Sequence, residues 1–135
     1  MRTIDRALLA LLAASALLVW SLDARAQMGQ GFWTSATLTK SDIKLIRKIV
    51  RKDLVGKPKG TSLPWKNPDS GNSGKVTLLD SFPSQGRACE RVRYYIDPGP
   101  NQPSSAQPST YVITSCKLSN GDWVQDNAAQ PDKAK

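Results

Sequence analysis

The sequence predicts an α+β domain in which one amphipathic N-terminal helix packs on a small antiparallel β-sheet of four to five strands, with one disulfide. Three observations predict it. Between Thr39 and Gly56, apolar residues recur at three- and four-residue steps. After Gly60 the chain breaks into short β-rich runs separated by turn residues. The only cysteines, Cys89 and Cys116, fall on two neighbouring runs.

The chain starts with Arg2 and Arg6 ahead of an apolar run from Ala7 to Trp20, followed by Ala24-Arg25-Ala26. This is the n-region, h-region and A-x-A site of a secretory signal peptide over residues 1–26. The run is shorter than the ~20 residues a membrane-spanning helix needs, so no transmembrane segment is expected after cleavage at Gln27. No cysteine near that site could carry a lipid. Removing Arg2, Arg6 and Arg25 from the 19 basic residues, and Asp5 and Asp23 from the 11 acidic ones, leaves a mature charge of about +7. Export puts Cys89 and Cys116 in an oxidising compartment, where a lone pair is expected to form a disulfide. In a domain this small, that closure is worth roughly 3 to 4 kcal/mol in the chain-entropy model.

Residues 27–37 read as an irregular leader, with Trp33 a candidate for docking onto the domain. The domain itself is expected over 38–126. Thr39 is the helix N-cap with Asp42 in capping-box position, Leu38 and Ile43 can form a hydrophobic staple, and Gly56 ends the helix. Ile43, Ile46, Ile49, Val50 and Leu54 form the expected core face. Lys44, Arg47, Lys48, Arg51 and Lys52 make the other side strongly cationic.

Strands are expected near Ser62–Lys66, Lys75–Phe82, Ala88–Ile96, Thr110–Leu118 and Trp123–Gln125. If Cys89 faces Cys116 across an antiparallel pair, Arg91 lies opposite Thr114, Val92 opposite Ile113 and Tyr94 opposite Tyr111. One face then carries Val92, Tyr94, Ile96, Tyr111 and Ile113. The other carries the disulfide with Val112, Leu118 and, through the hairpin, Trp123. Both faces are partly apolar, so both should be covered, one by the helix and the other by the Trp65 segment or curled hairpins. The proline-rich stretch 97–109 is expected to be a mobile surface loop, Asn120-Gly121 a two-residue hairpin with positive φ at both positions, and 127–135 a disordered tail.

The segment W-K-N-P-D-S-G-N-S-G, from Trp65 to Gly74, precedes two strands with one cysteine each, and Asn120-Gly-Asp-Trp123 follows. In that order these motifs resemble the surface antigen domain of the rickettsial 17-kilodalton surface antigen family, over about Leu38 to Gln125. The residues carrying the resemblance are Trp65, Asn67, Pro68, Ser70, Gly71, Asn72, Gly74, Gly121 and Trp123, with both cysteines. The resemblance implies a bacterial envelope protein of antigen type, without a generally established catalytic activity. Some members are lipoproteins with a glycine-rich membrane-associating segment. This chain has neither that segment nor a lipidated cysteine, and its closing turn is ordered Asn120-Gly121-Asp122.

Asn67 to Gly74 suits consecutive turns in which side chains bond nearby backbone. An EF-hand-type reading would want a carboxylate where Leu78 stands, and Asp69 is the only acid in the segment, so no metal and no cofactor are expected. The chain has no histidine, which excludes Ser-His-Asp and Cys-His nucleophile pairs. No phosphate-cradling glycine motif is present, and the expectation is a protein that is not an enzyme. The expected role is structural or interactive, at the periplasm or outer-membrane-associated cell surface. The partner would be a protein or an anionic polymer such as lipopolysaccharide, and the cationic helix side is either a solvated face that keeps the protein soluble or the surface that contacts such a polymer; nucleic acid is not expected. An inhibitor of a cell-wall-degrading enzyme is the alternative, because the proline-rich loop could protrude as an inhibitory element.

Overall fold

A computed structural model describes residues 37–133; the expected signal peptide and most of the leader lie outside the described residues. Helix α1 spans Lys40–Ile49 and continues into a π-helical turn at Val50–Leu54. Thr39 and Asp42 form the expected capping box: the Thr39 N–H donates to Asp42 Oδ2 at 2.8 Å, and the Asp42 N–H donates to Thr39 Oγ1 at 3.1 Å. Asp42, Ile46, Val50 and Leu54 are buried, whereas Ile43 and Ile49 are only half-buried. The inward stripe thus advances in steps of four, which overshoots a turn of ~3.6 residues and would carry Leu54 off the core face. The wider π-turn, with the Val55 N–H donating to the Val50 carbonyl at 2.9 Å, takes up the surplus and returns Leu54 to full burial.

The strands β1 (Ser62–Lys66), β2 (Ser73–Ser84), β3 (Arg87–Asp97), β4 (Ser109–Lys117) and β5 (Trp123–Gln125) form one antiparallel sheet in chain order. The β3–β4 register is the expected one: Cys89 opposite Cys116, Arg91 opposite Thr114, Val92 opposite Ile113 and Tyr94 opposite Tyr111. The cysteines are bonded, with Cα atoms 4.1 Å apart. The helix covers one face, where Ile46, Val50 and Leu54 pack on Val76, Leu78, Val92, Tyr94, Ile96 and Ile113.

Trp65 packs with this same core, not over the opposite face, and Trp123 pairs with Lys117 on the helix side rather than the disulfide side. Among the described residues the opposite face is covered at one end only. A β-bulge at Leu79 shifts the register between Leu78 and Asp80, turning Phe82 to the side of the sheet opposite Leu78. There Phe82 joins Cys89, Cys116 and Ala129 in a second small cluster. Ala129 belongs to the tail expected to be disordered. Residues 127–133 instead run back over the sheet: Asn127 accepts from the Thr114 N–H at 2.8 Å, and the Asp132 N–H donates to the Pro83 carbonyl at 2.9 Å.

Two turns exchange the expected chemistry. The tight two-residue hairpin is at Gln85-Gly86, with φ +51° and +73° between the paired residues Ser84 and Arg87. At the β4–β5 connection only Gly121 has positive φ, at +93°, and its N–H donates to the Leu118 carbonyl at 3.0 Å. The Leu118 N–H donates to the Asp122 carbonyl at 2.7 Å, which makes a longer loop with a glycine bulge.

Candidate functional site

The Trp65–Gly74 segment is built around a carboxylate that lies outside it. Asp42, fully buried, accepts hydrogen bonds from Ser70 Oγ at 2.6 Å, Asn67 Nδ2 at 2.7 Å and Asn72 Nδ2 at 2.8 Å, besides the Thr39 N–H. Burial alone would push its pKa up. The bonds from Ser70, the Thr39 backbone, Asn72 and Asn67 together outweigh that and hold the group below its usual range. Its place in the first turn of α1 adds the favourable end of the helix dipole.

Asn72 extends the hub. Its Nδ2 also donates to the Thr37 carbonyl at 2.7 Å, and its Oδ1 accepts from the Gly99 N–H at 2.9 Å. The start of the 97–109 loop is therefore pinned, not a free excursion, and Gln102 Nε2 reaches the same Thr37 carbonyl at 3.2 Å. Gly99 must be glycine, because a Cβ there would sit 2.3 Å from the Gly71 carbonyl carbon. Gly74 is equally constrained, by the Tyr95 carbonyl at 1.9 Å and Trp65 Nε1 at 2.8 Å from such an atom. Asn67 Oδ1 accepts from the Asp69 N–H at 3.1 Å, and Pro68 is exposed within the turn. The turn scaffold reading accounts for the polar side chains of Asn67, Ser70 and Asn72. Among the described residues no group of three His, Cys, Asp or Glu stands where it could hold a metal ion.

The helix cations Lys44, Arg47, Lys48, Arg51 and Lys52 are all exposed. The structure separates them. Lys44 and Arg47 flank a shallow hollow with Lys40 and Ile43. Arg47 and Arg51 instead line a groove of about 570 Å³ between the helix with its π-turn and the β4–β5 hairpin, facing Ser115, Asp122, Trp123 and Gln125. The Arg51 guanidinium stacks 4.9 Å from the centre of the Trp123 ring, which joins the motif's closing turn to the cationic helix. Burial, countered by Tyr94 and reinforced by the Arg47 charge, lowers the Arg51 pKa. Burial also pushes the Tyr94 hydroxyl up to about 12, against the pull of Arg51 and Arg47.

The sequence reading missed two further features. Glu90, the only glutamate, is buried on the helix side of β3, where Ser81 Oγ donates to it. Burial pushes its pKa up, Ser81 lowers it, and Asp80 raises it further. A groove of about 620 Å³ also opens on the sheet face away from the helix, among Trp65, Lys66, Lys75, Arg93 and Tyr95. The period-2 alternation of Lys75 with Thr77, and of Arg93 with Tyr95, was the available trace of that face.

The model of the 17 kDa outer membrane surface antigen family matches residues 54–124. The chain is 29% identical over 89 residues to the 17 kDa surface antigen of Rickettsia bellii (strain RML369-C), covering 65% of this chain and 52% of that protein. It is 28% identical over 85 residues to the 17 kDa surface antigen of Rickettsia prowazekii (strain Madrid E), covering 62% and 50%. The chain thus spans about half the length of the curated relatives it matches. No solved structure matches it significantly. Because the match takes in more than half of the 135 residues, and with them the Trp65–Gly74 motif, both cysteines and the closing Trp123, the chain belongs to the 17 kDa outer membrane surface antigen family.

Proposed function

We propose that this chain is a non-enzymatic bacterial envelope protein with an interaction role, and that its cationic helix side holds an anionic envelope polymer such as lipopolysaccharide. The observation that carries the reading is the Arg47–Arg51–Trp123 groove, where two guanidiniums and an indole line one concave surface against a single acid, Asp122. Guanidinium forks suit phosphate and carboxylate, and the indole offers a flat apolar face to a sugar ring. The names of the relatives support an envelope setting. The absence of histidine supports a non-catalytic role, as does the structural use of Asp42. The inhibitor alternative rested on a protruding loop, and the pinning of that loop at Gly99 and Gln102 gives it no support.

In this reading residues 1–26 are a signal peptide, and the exported protein starts at Gln27 without lipid, as mass spectrometry would register. The binding test replaces Lys44, Lys48, Arg51 and Lys52 together by Gln and compares retention on immobilised lipopolysaccharide and on heparin. The variant should fold as the parent does and elute at distinctly lower salt, since exposed charges contribute little to stability. Unchanged elution would reduce the helix side to a solvated face. Fractionation with proteolysis of intact cells distinguishes the cell surface from the periplasm.

A further inference from the structure

The sheet face away from the helix is divided in two. Its lower half is closed by Phe82, the disulfide and Ala129, with the Arg91 guanidinium 5.0 Å from the centre of the Phe82 ring. Among the described residues its upper half has no second layer. There the register sets Lys66 beside Ser73 and Asp97, then Pro64 beside Lys75, Tyr95 and Thr110, then Ser62 beside Thr77, Arg93 and Val112. The resulting groove, of about 620 Å³, has the size of a site for one small ligand.

We propose that this groove binds one acidic saccharide unit, a sugar ring bearing a carboxylate or phosphate. Three cations, Lys66, Lys75 and Arg93, line it against one acid, Asp97, so the local charge favours an anion. Tyr95 is half-buried in the middle row and offers its ring as a flat apolar face, the surface on which the C–H side of a pyranose packs. Pro64 extends the apolar lining. The Trp65 indole N–H, beside Gly74, has no hydrogen-bond partner among the described residues, although the side chain is 4% exposed. Buried donors are normally satisfied, so this orphan N–H marks the core side of the Trp65–Gly74 step rather than the groove itself. Lysine and arginine around an aromatic platform recognise the ring and its acid together, which a bare cationic patch does not.

The site is separate from the helix-side groove, so the two readings share only the envelope setting and fail separately. The test records ¹⁵N spectra of the mature protein titrated with a glucuronic-acid-containing disaccharide, with glucosamine 6-phosphate and with a neutral disaccharide. Either acidic ligand should shift the Lys66, Lys75, Arg93 and Tyr95 backbone signals, and the neutral sugar should not. Lys75→Gln with Arg93→Gln, both on the solvent side of the sheet, should leave the melting temperature unchanged and weaken binding by about tenfold or more. The helix variant K44Q/K48Q/R51Q/K52Q should bind the acidic ligand as the parent does. The proposal is overturned if these signals stay still at about 10 mM ligand. It is equally overturned if the neutral sugar shifts them as strongly, or if the groove variant binds undiminished. Loss of binding in the helix variant alone would assign the ligand to the other side.

Discussion

Asn72 Nδ2 donates to Asp42 Oδ2 at 2.8 Å across thirty residues of sequence, joining the family motif to the first turn of the helix. Ser70 and Asn67 make the same connection from the same turn. The motif's polar residues thus form a socket for one buried carboxylate.

Removing that carboxylate should be the most damaging polar substitution in the domain. Asp42→Ala leaves the donors of Asn67, Ser70 and Asn72 buried without their acceptor, and charged hydrogen bonds carry about 1.5 to 3 kcal/mol each. A loss of about 3 to 5 kcal/mol is expected by urea denaturation, at the upper end of single-substitution effects. Asp42→Asn, which keeps the shape, should lose less. A loss below about 1 kcal/mol for Asp42→Ala would refute the hub.

Stability should respond to pH with opposite signs at two carboxyls. The Asp42 pKa is lowered in the fold, so its contribution is present above the unfolded value of 3.8 and is lost as pH falls through the lower folded value. The Glu90 pKa is raised, so its contribution is present below the unfolded value of 4.5 and is lost as pH rises through the higher folded value. Glu90→Gln should therefore gain on the parent between pH 4 and pH 7, as chemical denaturation at the two pH values would reveal. A difference that shrinks over that interval would contradict the raised value.

Two glycines separate steric need from backbone need. Gly56 has φ +82° with nothing within 4 Å of a Cβ, so Gly56→Ala should cost about 1 kcal/mol, the strain of a left-handed residue. Gly99→Ala would drive a Cβ into the Gly71 backbone and should cost about 2 to 3 kcal/mol. Thermal melts of the pair check the order; equal losses would mean that the loop lifts away freely.

Replacing Cys89 and Cys116 together by Ser should lower stability by about 2 to 5 kcal/mol. Deleting 101–107 removes the Gln102 bond to Thr37 and should cost about 1 kcal/mol. The ranking is read from urea midpoints, with thiol labelling to verify that the parent has no free cysteine.

The helix and the β3–β4 register were legible because each rests on local or paired information. The capping box lies within four residues, and the cysteine pair sets the register of every residue around it. Asp42 was legible as a cap but not as a hub, because its other partners arrive from 25 to 30 residues away. The sequence places Asp42 four residues before Ile46 in the apolar stripe, and that spacing was the missed sign of burial. The Gln85-Gly86 turn escaped notice because glutamine is an unusual occupant of positive φ, whereas Asn120 offered the commoner residue and adopted ordinary backbone. The packed tail was hidden by its polarity. What holds residues 127–133 is one buried alanine and hydrogen bonds to strand and turn residues far away in the chain. The open-face groove needs four strands in register before its residues become neighbours.

The disulfide joins a cysteine before the 97–109 loop to one after it, 27 positions apart. A protease that cuts between 103 and 108 therefore yields a nicked molecule of two covalently tethered chains, not two fragments. The scissors would act on a segment outside the sheet ladders, on the far side of the Gln102 contact. Strand pairing, helix and both grooves would outlast the cut. Only reduction would then let the halves part, so under oxidising conditions the domain tolerates proteolysis at its longest loop.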